Sequence, residues 1–173
     1  MEKMKRNYEF SVQVTGLDIE NESQLKQLKN DAITIVPFAS NGLIMLGVEM
    51  AAGSPESAFS AFKSFLNEYA SDIKIKRLDL DLVSLSQIAE RLDVTREAVR
   101  LWATGERRQD FPEPFTSAGQ SLLWAWSEVF DWLTEEETQD DSHPLPINLI
   151  ERLNGIYARD RKSATPPMAL ASA

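Results

Sequence analysis

Apolar and polar positions in residues 1–82 follow two periods, which predict strands and helices in a definite order. The first segment alternates between the two kinds of side chain, and its apolar members are Tyr8, Phe10, Val12 and Val14. Such alternation is typical of a half-buried strand, because successive side chains of a strand point to opposite faces. Leu25 and Leu28 then recur at helical spacing among polar neighbours. The pattern therefore predicts a strand followed by a helix over residues 21–30.

Two apolar runs, residues 32–40 and 43–51, come next and are joined by Asn41-Gly42. This dipeptide favours a hairpin turn, because both central positions of such a turn need a positive φ that Asn and Gly tolerate. The runs therefore predict two adjacent antiparallel strands.

A second helix is predicted to follow Ser54, since Pro55 and Glu56 are residues that the first turn of a helix favours. Its apolar face is predicted to consist of Phe59, Phe62, Leu66 and Tyr69. A final strand begins at Ile73. The resulting order, βαββαβ, predicts a ferredoxin-like α+β sandwich over residues 1–82, in which two helices cover one face of an antiparallel sheet.

A change of phase in the strand pattern marks the end of this domain. The apolar positions are odd at Ile73 and Ile75 but even from Leu78 onward. A strand cannot change phase without a bulge or an ending, because a slip of one residue moves every side chain to the opposite face. The junction with a second domain, residues 83–134, is therefore predicted near residues 77–83.

Residues 84–104 have the spacing of a helix-turn-helix: a short helix, a tight turn and a second helix. Asp93 lies in the turn, where a left-handed backbone is needed, and Thr95 is a suitable N-cap for the second helix. The apolar positions form one seam between the helices, made of Ile88, Ala89, Leu92, Val94, Val99 and Trp102. A recognition helix must pack one face on its neighbour and offer its N-terminal half to the major groove, and this pattern satisfies both needs.

The predicted DNA-binding residues lie on or just after the second helix: Thr95, Arg96, Glu97, Arg100, Arg107 and Arg108. Arg96 and Arg100 are one turn apart, so their side chains project together and could bind a guanine edge or a phosphate. Glu97 could accept from a cytosine or pair with Arg100 on the surface, and the sequence leaves both roles open. Arg107-Arg108 come directly after this helix and suit backbone phosphates.

A wing and a third helix are predicted to complete this domain. The proline-rich segment 111–115 is expected to form an edge strand, residues 116–121 the wing tip and residues 122–126 the returning strand. Ser127 is expected to cap a helix whose inward residues are Val129, Trp132 and Leu133. The tryptophans are expected to fill a small core, an interpretation we prefer to a stacking platform for single-stranded bases; they are Trp102, Trp124, Trp126 and Trp132.

The most specific pattern in the chain combines residues 88–102, residues 111–114 and the triad Trp126, Val129 and Trp132. On these residues the stretch resembles the small winged-helix domains of the MerR superfamily. It is close to AlpA-like and excisionase-like proteins and to helix-turn-helix proteins of actinobacterial type. The resemblance covers residues 84–134 and none of the N-terminal domain. It implies that the second helix reads the major groove and that the wing touches the flanking minor groove or backbone.

The net charge of −9 opposes this interpretation, because nucleic-acid-binding proteins usually carry a basic surface. Residues 1–83 hold 9 basic and 12 acidic side chains, residues 84–134 hold 5 and 8, and residues 135–173 hold 4 and 7. Each region therefore has a net charge of −3, and within residues 84–134 only residues 95–108 are locally positive. Binding by a single copy would be modest and sensitive to salt, so a homodimer that presents two recognition helices is the expected arrangement.

The segment after Leu133 is expected to form an acidic linker, an amphipathic helix over about residues 145–160 and a disordered tail over residues 163–173. The apolar stripe of this helix, from Ile147 to Tyr157, is a candidate surface for a protein partner, as is the N-terminal domain.

We expect neither an enzyme nor a bound cofactor or metal, because no catalytic or phosphate-loop motif is present. Asp79 and Asp81 are magnesium ligands by type, but they lack a third carboxylate at a suitable spacing and are better interpreted as polar edge residues. His143 has no second His or Cys nearby and is neither a credible zinc ligand nor a credible general base. The chain has no cysteine, no stretch apolar enough to span a membrane and no secretory signal, so we expect a cytoplasmic protein.

The favoured function is that of a sequence-specific double-stranded DNA-binding protein, a bacterial or phage-type transcriptional regulator whose helix 95–104 reads the major groove. Two alternatives stay open. One is an antitoxin-like or adaptor subunit that keeps the helix-turn-helix as a scaffold for protein interaction. The other is an excisionase-like architectural protein that bends DNA.

Overall fold

The computed structural model describes residues 4–138 and 141–164, and in this part of the chain the fold is mixed α+β with two sheets. The elements in chain order are β1 (Arg6–Thr15), α1 (Glu22–Gln27), β2 (Ile33–Ser40), β3 (Leu43–Ala52), α2 (Pro55–Tyr69), β4 (Lys74–Leu78), β5 (Leu82–Val83), α3 (Leu85–Arg91), α4 (Arg96–Ala103), β6 (Thr116–Ala118), β7 (Ser121–Ala125), α5 (Trp126–Trp132), β8 (Ser142–Pro144) and α6 (Ile147–Ala164). We call the larger sheet with its helices the first unit. The smaller sheet with α3, α4 and α5 is the second unit.

The larger sheet has the strand order β2-β3-β1-β4, and neighbouring strands in this path are antiparallel. The predicted order βαββαβ is present, with α1 between β1 and β2 and α2 between β3 and β4. Asn41 and Gly42 form the turn between β2 and β3 with φ values of 50° and 78°, as the dipeptide predicts. Periodicity and turn chemistry thus predict these elements correctly.

Aromatic rings join α2 to the sheet and form the centre of the first core. Phe59 and Phe62 lie edge-on against Phe10 of β1, with ring centroids 6.1 and 5.6 Å apart. Tyr69, which we predicted on the same face, is 55% exposed. It is the last residue of α2 and its ring lies against Phe65, which is the buried residue of that turn. The prediction for Tyr69 is therefore wrong.

The phase change predicted near residues 77–83 consists of a bulge and then a strand end. The register of β1 against β4 shifts next to Gln13, and β4 ends at Leu78. Asp81 then adopts a left-handed backbone, with φ of 50°, before the short strand β5. The backbone amide of Trp126 donates to the Asp81 carbonyl at 3.0 Å, which fixes the connection where it enters the second unit.

The region after α5 contains a strand that the sequence analysis does not predict. β8 pairs in parallel with the start of β1, on the side of β1 that β4 occupies further along. The Ser142 hydroxyl donates to the Glu49 carboxylate at 2.9 Å and accepts from the side-chain amide of Asn7 at 3.1 Å. The acidic segment therefore connects the second unit back to the first sheet.

α6 closes the core of the first unit, which corrects the expectation that its apolar stripe is a surface for a protein partner. Leu145, just before the helix, is 1% exposed, and Leu149 and Ile150 are buried in the same core. Leu153 and Tyr157 pack against the edge of that core. The stripe is apolar because it covers the chain's own sheet, and in this fold it is not open to a partner.

The second unit has its own small core on the strand order β5-β7-β6. Its buried members are Val83, Ile88, Ala89, Val99, Trp124 and Val129. Trp124 is 3% exposed, and the other three tryptophans are half-buried. Trp124 thus lies in the core with Trp102 and Trp126 packed against it, as predicted, whereas Trp132 lies outside this cluster.

Two local predictions for the second unit are wrong. Residues 111–115 are described and form no strand, because their prolines lack the backbone N–H that a ladder needs. Ser127 does not cap α5: the N-cap position is Ala125, and Ser127 lies buried inside the helix. Its hydroxyl accepts from the backbone amide of Ile147 at 3.1 Å, so Ser127 joins the two units.

The predicted tail is only partly described. Ser163 and Ala164 are the last residues of α6 and not part of a disordered tail, since the first proline comes only at Pro166. Residues 165–173, the rest of that predicted tail, lie outside the described residues. Among the helices of the described chain, none combines the length and the apolar character needed to cross a bilayer.

Candidate nucleic-acid interface

Local caps and a tight turn set the geometry of α3 and α4. Ser84 and Gln87 form a reciprocal capping box at the start of α3, with hydrogen bonds of 2.8 and 3.3 Å. Asp93 has φ of 51° in the turn between the helices. The Thr95 hydroxyl then accepts from the backbone amide of Ala98 at 3.1 Å, where α4 begins. The turn residue and the N-cap both lie where the sequence predicts them.

One face of α4 is buried, and the first turn of its other face is open to solvent. Val99 is fully buried against Ile88 and Ala89 of α3. Arg96 is exposed, and it forms no hydrogen bond or ion pair with any described residue. Its guanidinium is therefore ready to bind an external acceptor.

Arg100, one turn further along α4, is engaged within the chain. Its Nε and Nη2 donate to the Glu97 carboxylate at 2.8–3.1 Å, and its Nη1 lies 3.4 Å from a Glu106 oxygen. The hydrogen bonds from Arg100 lower the pKa of Glu97, and the same bonds raise the pKa of Arg100. Of the two roles left open for Glu97, pairing with Arg100 is present in the free protein. A DNA contact by Arg100 therefore requires this pair to open.

The two consecutive arginines after α4 have different surroundings. Arg107 is exposed. Arg108 lies over the Trp132 ring, 3.6 Å from its centroid, and its Nη1 donates to Glu137 at 2.7 Å. The backbone amide of Thr134 also donates to Glu137, and these hydrogen bonds together lower the pKa of that carboxyl. Arg108 thus fastens the segment after α5 to the second unit.

The hairpin of β6 and β7, in the segment where the sequence predicts a wing, carries no charged side chain. Residues 116–121 contain neither Lys nor Arg, and Gly119 turns the chain with φ of 59°. Leu122 is 51% exposed on the returning strand. This hairpin can therefore offer hydroxyl and backbone groups to a phosphate but no positive charge.

A cleft of about 780 Å³ lies between the two units, and one of its residues was missed by sequence reasoning. Arg91, the last residue of α3, donates to both oxygens of Asp81 at 2.7 and 2.8 Å and lies 4.9 Å from the Trp126 ring centroid. Burial disfavours its charge, but Asp81, Glu9 and Asp79 more than compensate and raise its pKa. Arg91 therefore holds α3 to the connection between the units. No local sequence pattern indicates these contacts of Arg91. Asp81 lies before α3 begins, and Trp126 comes only after α4, β6 and β7.

The same hydrogen bonds bear on the carboxylates considered as metal ligands. The Asp81 carboxylate accepts hydrogen bonds from Arg91, and the Asp79 carboxylate accepts one from the backbone amide of Asp81 at 3.1 Å. Within the described residues, no group of three or more His, Cys, Asp or Glu side chains is placed to hold a metal ion. Asp79 and Asp81 lie in the connection between β4 and β5 and not on a strand, so the interpretation of them as strand-edge residues is wrong.

The structure thus separates the predicted DNA-binding residues into three kinds. Arg96 and Arg107 are exposed, Thr95 and Glu97 serve α4 itself, and Arg100 and Arg108 are bound by carboxylates of the chain. Comparisons of the chain with family models, curated proteins and solved structures give no significant match.

Proposed function

We propose that this chain is a cytoplasmic, sequence-specific double-stranded DNA-binding protein and acts as a transcriptional regulator. In this proposal the first unit is a ferredoxin-like sandwich and the second a winged helix-turn-helix domain whose α4 enters the major groove. The observation that carries it is the division of α4 into a face buried by Val99 and an open first turn presenting Arg96. A helix must be divided in this way to read base edges while held by its own domain.

The side chains have distinct roles in this proposal. Arg96 donates to a guanine edge or an adjoining phosphate, and Arg107 holds the backbone beside the groove. Thr95 positions α4 through its cap. Arg100 contributes only after it exchanges Glu97 for a DNA acceptor, while Arg108 supports the fold. Each copy of the chain therefore offers little free positive charge to DNA.

Two copies would double these contacts, and we include a homodimer in the proposal. The first unit offers an exposed apolar surface for it on the hairpin of β2 and β3. Val36, Phe38 and Leu43 are 55%, 39% and 46% exposed there. Strand pairing places Phe38 opposite Met45 and Ser40 opposite Leu43, so by the alternation of strands these three side chains share one face of the sheet.

The proposal is tested by selecting duplexes from a random-sequence pool with the purified chain and measuring affinity for the enriched sequence by fluorescence polarisation. We expect Arg96→Ala to weaken binding to the enriched duplex by about 1–3 kcal/mol, roughly tenfold to a hundredfold, because a bidentate base contact is lost. Affinity for an unrelated duplex should change much less.

Arg6→Ala is the matched control, since it removes the same charge from an exposed position of β1. If Arg6→Ala weakened duplex binding as much as Arg96→Ala does, the result would contradict the proposed role of α4. Failure to enrich any sequence would contradict sequence-specific binding as a whole.

A second variant tests whether Glu97 restrains Arg100. We expect Glu97→Gln to strengthen duplex binding by about threefold at low salt, because it removes a negative charge beside the DNA and releases Arg100 for a phosphate. Glu22→Gln, at the exposed start of α1, makes the same charge change far along the chain. Weaker binding by Glu97→Gln would instead indicate that Glu97 itself contacts a cytosine.

An adaptor or antitoxin-like subunit is the second candidate, favoured by one observation. Arg100 and Arg108 are already bound by Glu97, Glu106 and Glu137, which leaves little free positive charge on this surface. Co-purification of a stoichiometric protein partner, with no duplex retained at low salt, would select this function over DNA binding.

A further inference from the structure

The first unit carries a basic surface that no single stretch of sequence contains. It is formed by β4 and the end of α6, and its members are Lys74, Lys76, Arg77, Arg161 and Lys162. These are five of the 18 basic residues of the chain. All five are exposed. A protein with a net charge of −9 thus concentrates more than a quarter of its cations on one part of its surface.

Hydrogen bonds between α6 and β4 bring the two segments together. The side chain of Asn154 accepts from the backbone amide of Leu78 at 2.7 Å and donates to the carbonyl of the same residue at 3.0 Å. Further along the helix, the Arg161 guanidinium donates to the carbonyl of Lys76. α6 therefore advances along the edge of β4 in the direction opposite to the strand. The basic end of the helix lies beside the basic strand.

Helical periodicity places Arg161 and Lys162 nearest to β4 and the one acid of this helix end on another side. At about 100° per residue, Arg161 lies about 20° and Lys162 about 80° from Asn154, which contacts the same strand. Asp160 lies about 160° from Lys162, on the side of Tyr157, whose pKa burial raises, with the Asp160 charge adding to the effect.

Four of these cations, Lys74, Lys76, Arg77 and Lys162, form no ion pair with an acidic side chain among the described residues. On the strand side, Arg77 lies opposite Gln13 and Lys74 opposite Thr15, both uncharged.

Two ordinary explanations cover only part of this surface. Cations in the last turn of a helix are stabilised by its macrodipole, which accounts for Arg161 and Lys162 but not for a strand. Lysines on an edge strand discourage aggregation, but α6 already covers the edge of β4 at Leu78 and Lys76. The strand cations are left without a structural reason.

We propose that this surface binds the phosphate backbone of duplex DNA, as a second contact outside the helix-turn-helix. The inference rests on the proposed function and extends it. The surface offers point charges and guanidinium groups but no aromatic ring among its members, so it suits phosphates and cannot stack or read bases. Its contribution is independent of sequence and arises from counterion release.

The experiment compares two triple variants of the full chain. Lys74→Gln with Lys76→Gln and Arg77→Gln removes the strand cations. Lys26→Gln with Lys29→Gln and Lys63→Gln removes the same charge from exposed positions on and after α1 and on α2. Both triples are checked for unchanged thermal unfolding by circular dichroism. Affinity is then measured between about 50 and 200 mM salt for the enriched duplex and for an unrelated duplex of equal length.

We expect the β4 triple variant to reduce the slope of log Kd against log salt by about 2–3, since each phosphate contact contributes about 0.9. Affinity at low salt should fall by roughly tenfold or more, and equally for both duplexes. The control triple variant should keep the wild-type slope. If the β4 triple variant and the control triple variant gave the same slope of log Kd against log salt, the proposal would be overturned.

The other outcomes separate this inference from the proposed function. If Arg96→Ala has no effect while the β4 triple variant loses duplex binding, the surface stands and the role of α4 falls. If the β4 triple variant binds duplex normally but no longer sediments with phosphatidylcholine–phosphatidylserine vesicles that the wild type binds, the surface is for anionic lipid and the inference is overturned.

Discussion

Replacement of Leu145 by alanine is expected to lower the free energy of unfolding by about 2–5 kcal/mol, the range for removing a buried leucine side chain and leaving a cavity. Leu145 is 1% exposed in the first core, between β8 and α6. Urea denaturation followed by far-UV circular dichroism measures the change. Tryptophan fluorescence recorded in parallel reports on the second unit, since the chain has tryptophan only at positions 102, 124, 126 and 132.

Leu122→Ala is the matched control, because it deletes the same atoms from a residue of β7 that is 51% exposed. We expect its effect to stay within about 0.5 kcal/mol. If Leu145→Ala cost as little as the control, residues 142–164 would be an appendage and not part of the first core.

Replacement of Trp132 by alanine is expected to destabilise the second unit by about 2–4 kcal/mol, somewhat below the range for a fully buried tryptophan because this ring is half-buried. The ring lies edge-on to Phe111 with centroids 4.9 Å apart and 3.6 Å beneath the Arg108 guanidinium. Its Nε1 donates to the Gln109 carbonyl at 2.9 Å. The alanine variant loses all of these contacts at once.

Trp132→Phe separates the ring from its N–H group. Phenylalanine keeps a face for Arg108 but cannot donate to Gln109, so we expect a loss of only about 1 kcal/mol. Thermal unfolding by circular dichroism compares the two variants. Equal losses would show that the hydrogen bond, and not the stacked ring, stabilises this corner of the unit.

Features set by neighbouring residues were predictable from the sequence. The hairpin at Asn41-Gly42, the left-handed Asp93 and the cap at Thr95 each depend on the conformational preference of the residue itself. The parallel pairing of β8 with β1 was not predictable. β8 is too short to show a period, and the Ser142 hydroxyl that fixes it finds its partner Glu49 in a distant strand.

In the candidate interface, too, contacts between neighbouring residues were predictable and contacts between distant residues were not. Placing Arg96 and Arg100 together needs only the helical period, and the pair Glu97–Arg100 spans one turn. That Arg108 is bound by Glu137 depends on where the chain returns after α5. Counting charge in consecutive windows also failed to detect the basic surface, because β4 and α6 are far apart in sequence and each lies in a region of net negative charge.

The second unit is inserted within the first, since β4 precedes it and β8 follows it on the same side of β1. On the ribosome, where domains usually fold in the order of their synthesis, the earlier sheet must wait for its final strand and covering helix. We therefore expect the inserted unit to mature first, while the part of the first core that Leu145, Leu149 and Ile150 cover is still open. Chaperones that shield nascent apolar chain would then act on the N-terminal half of this protein.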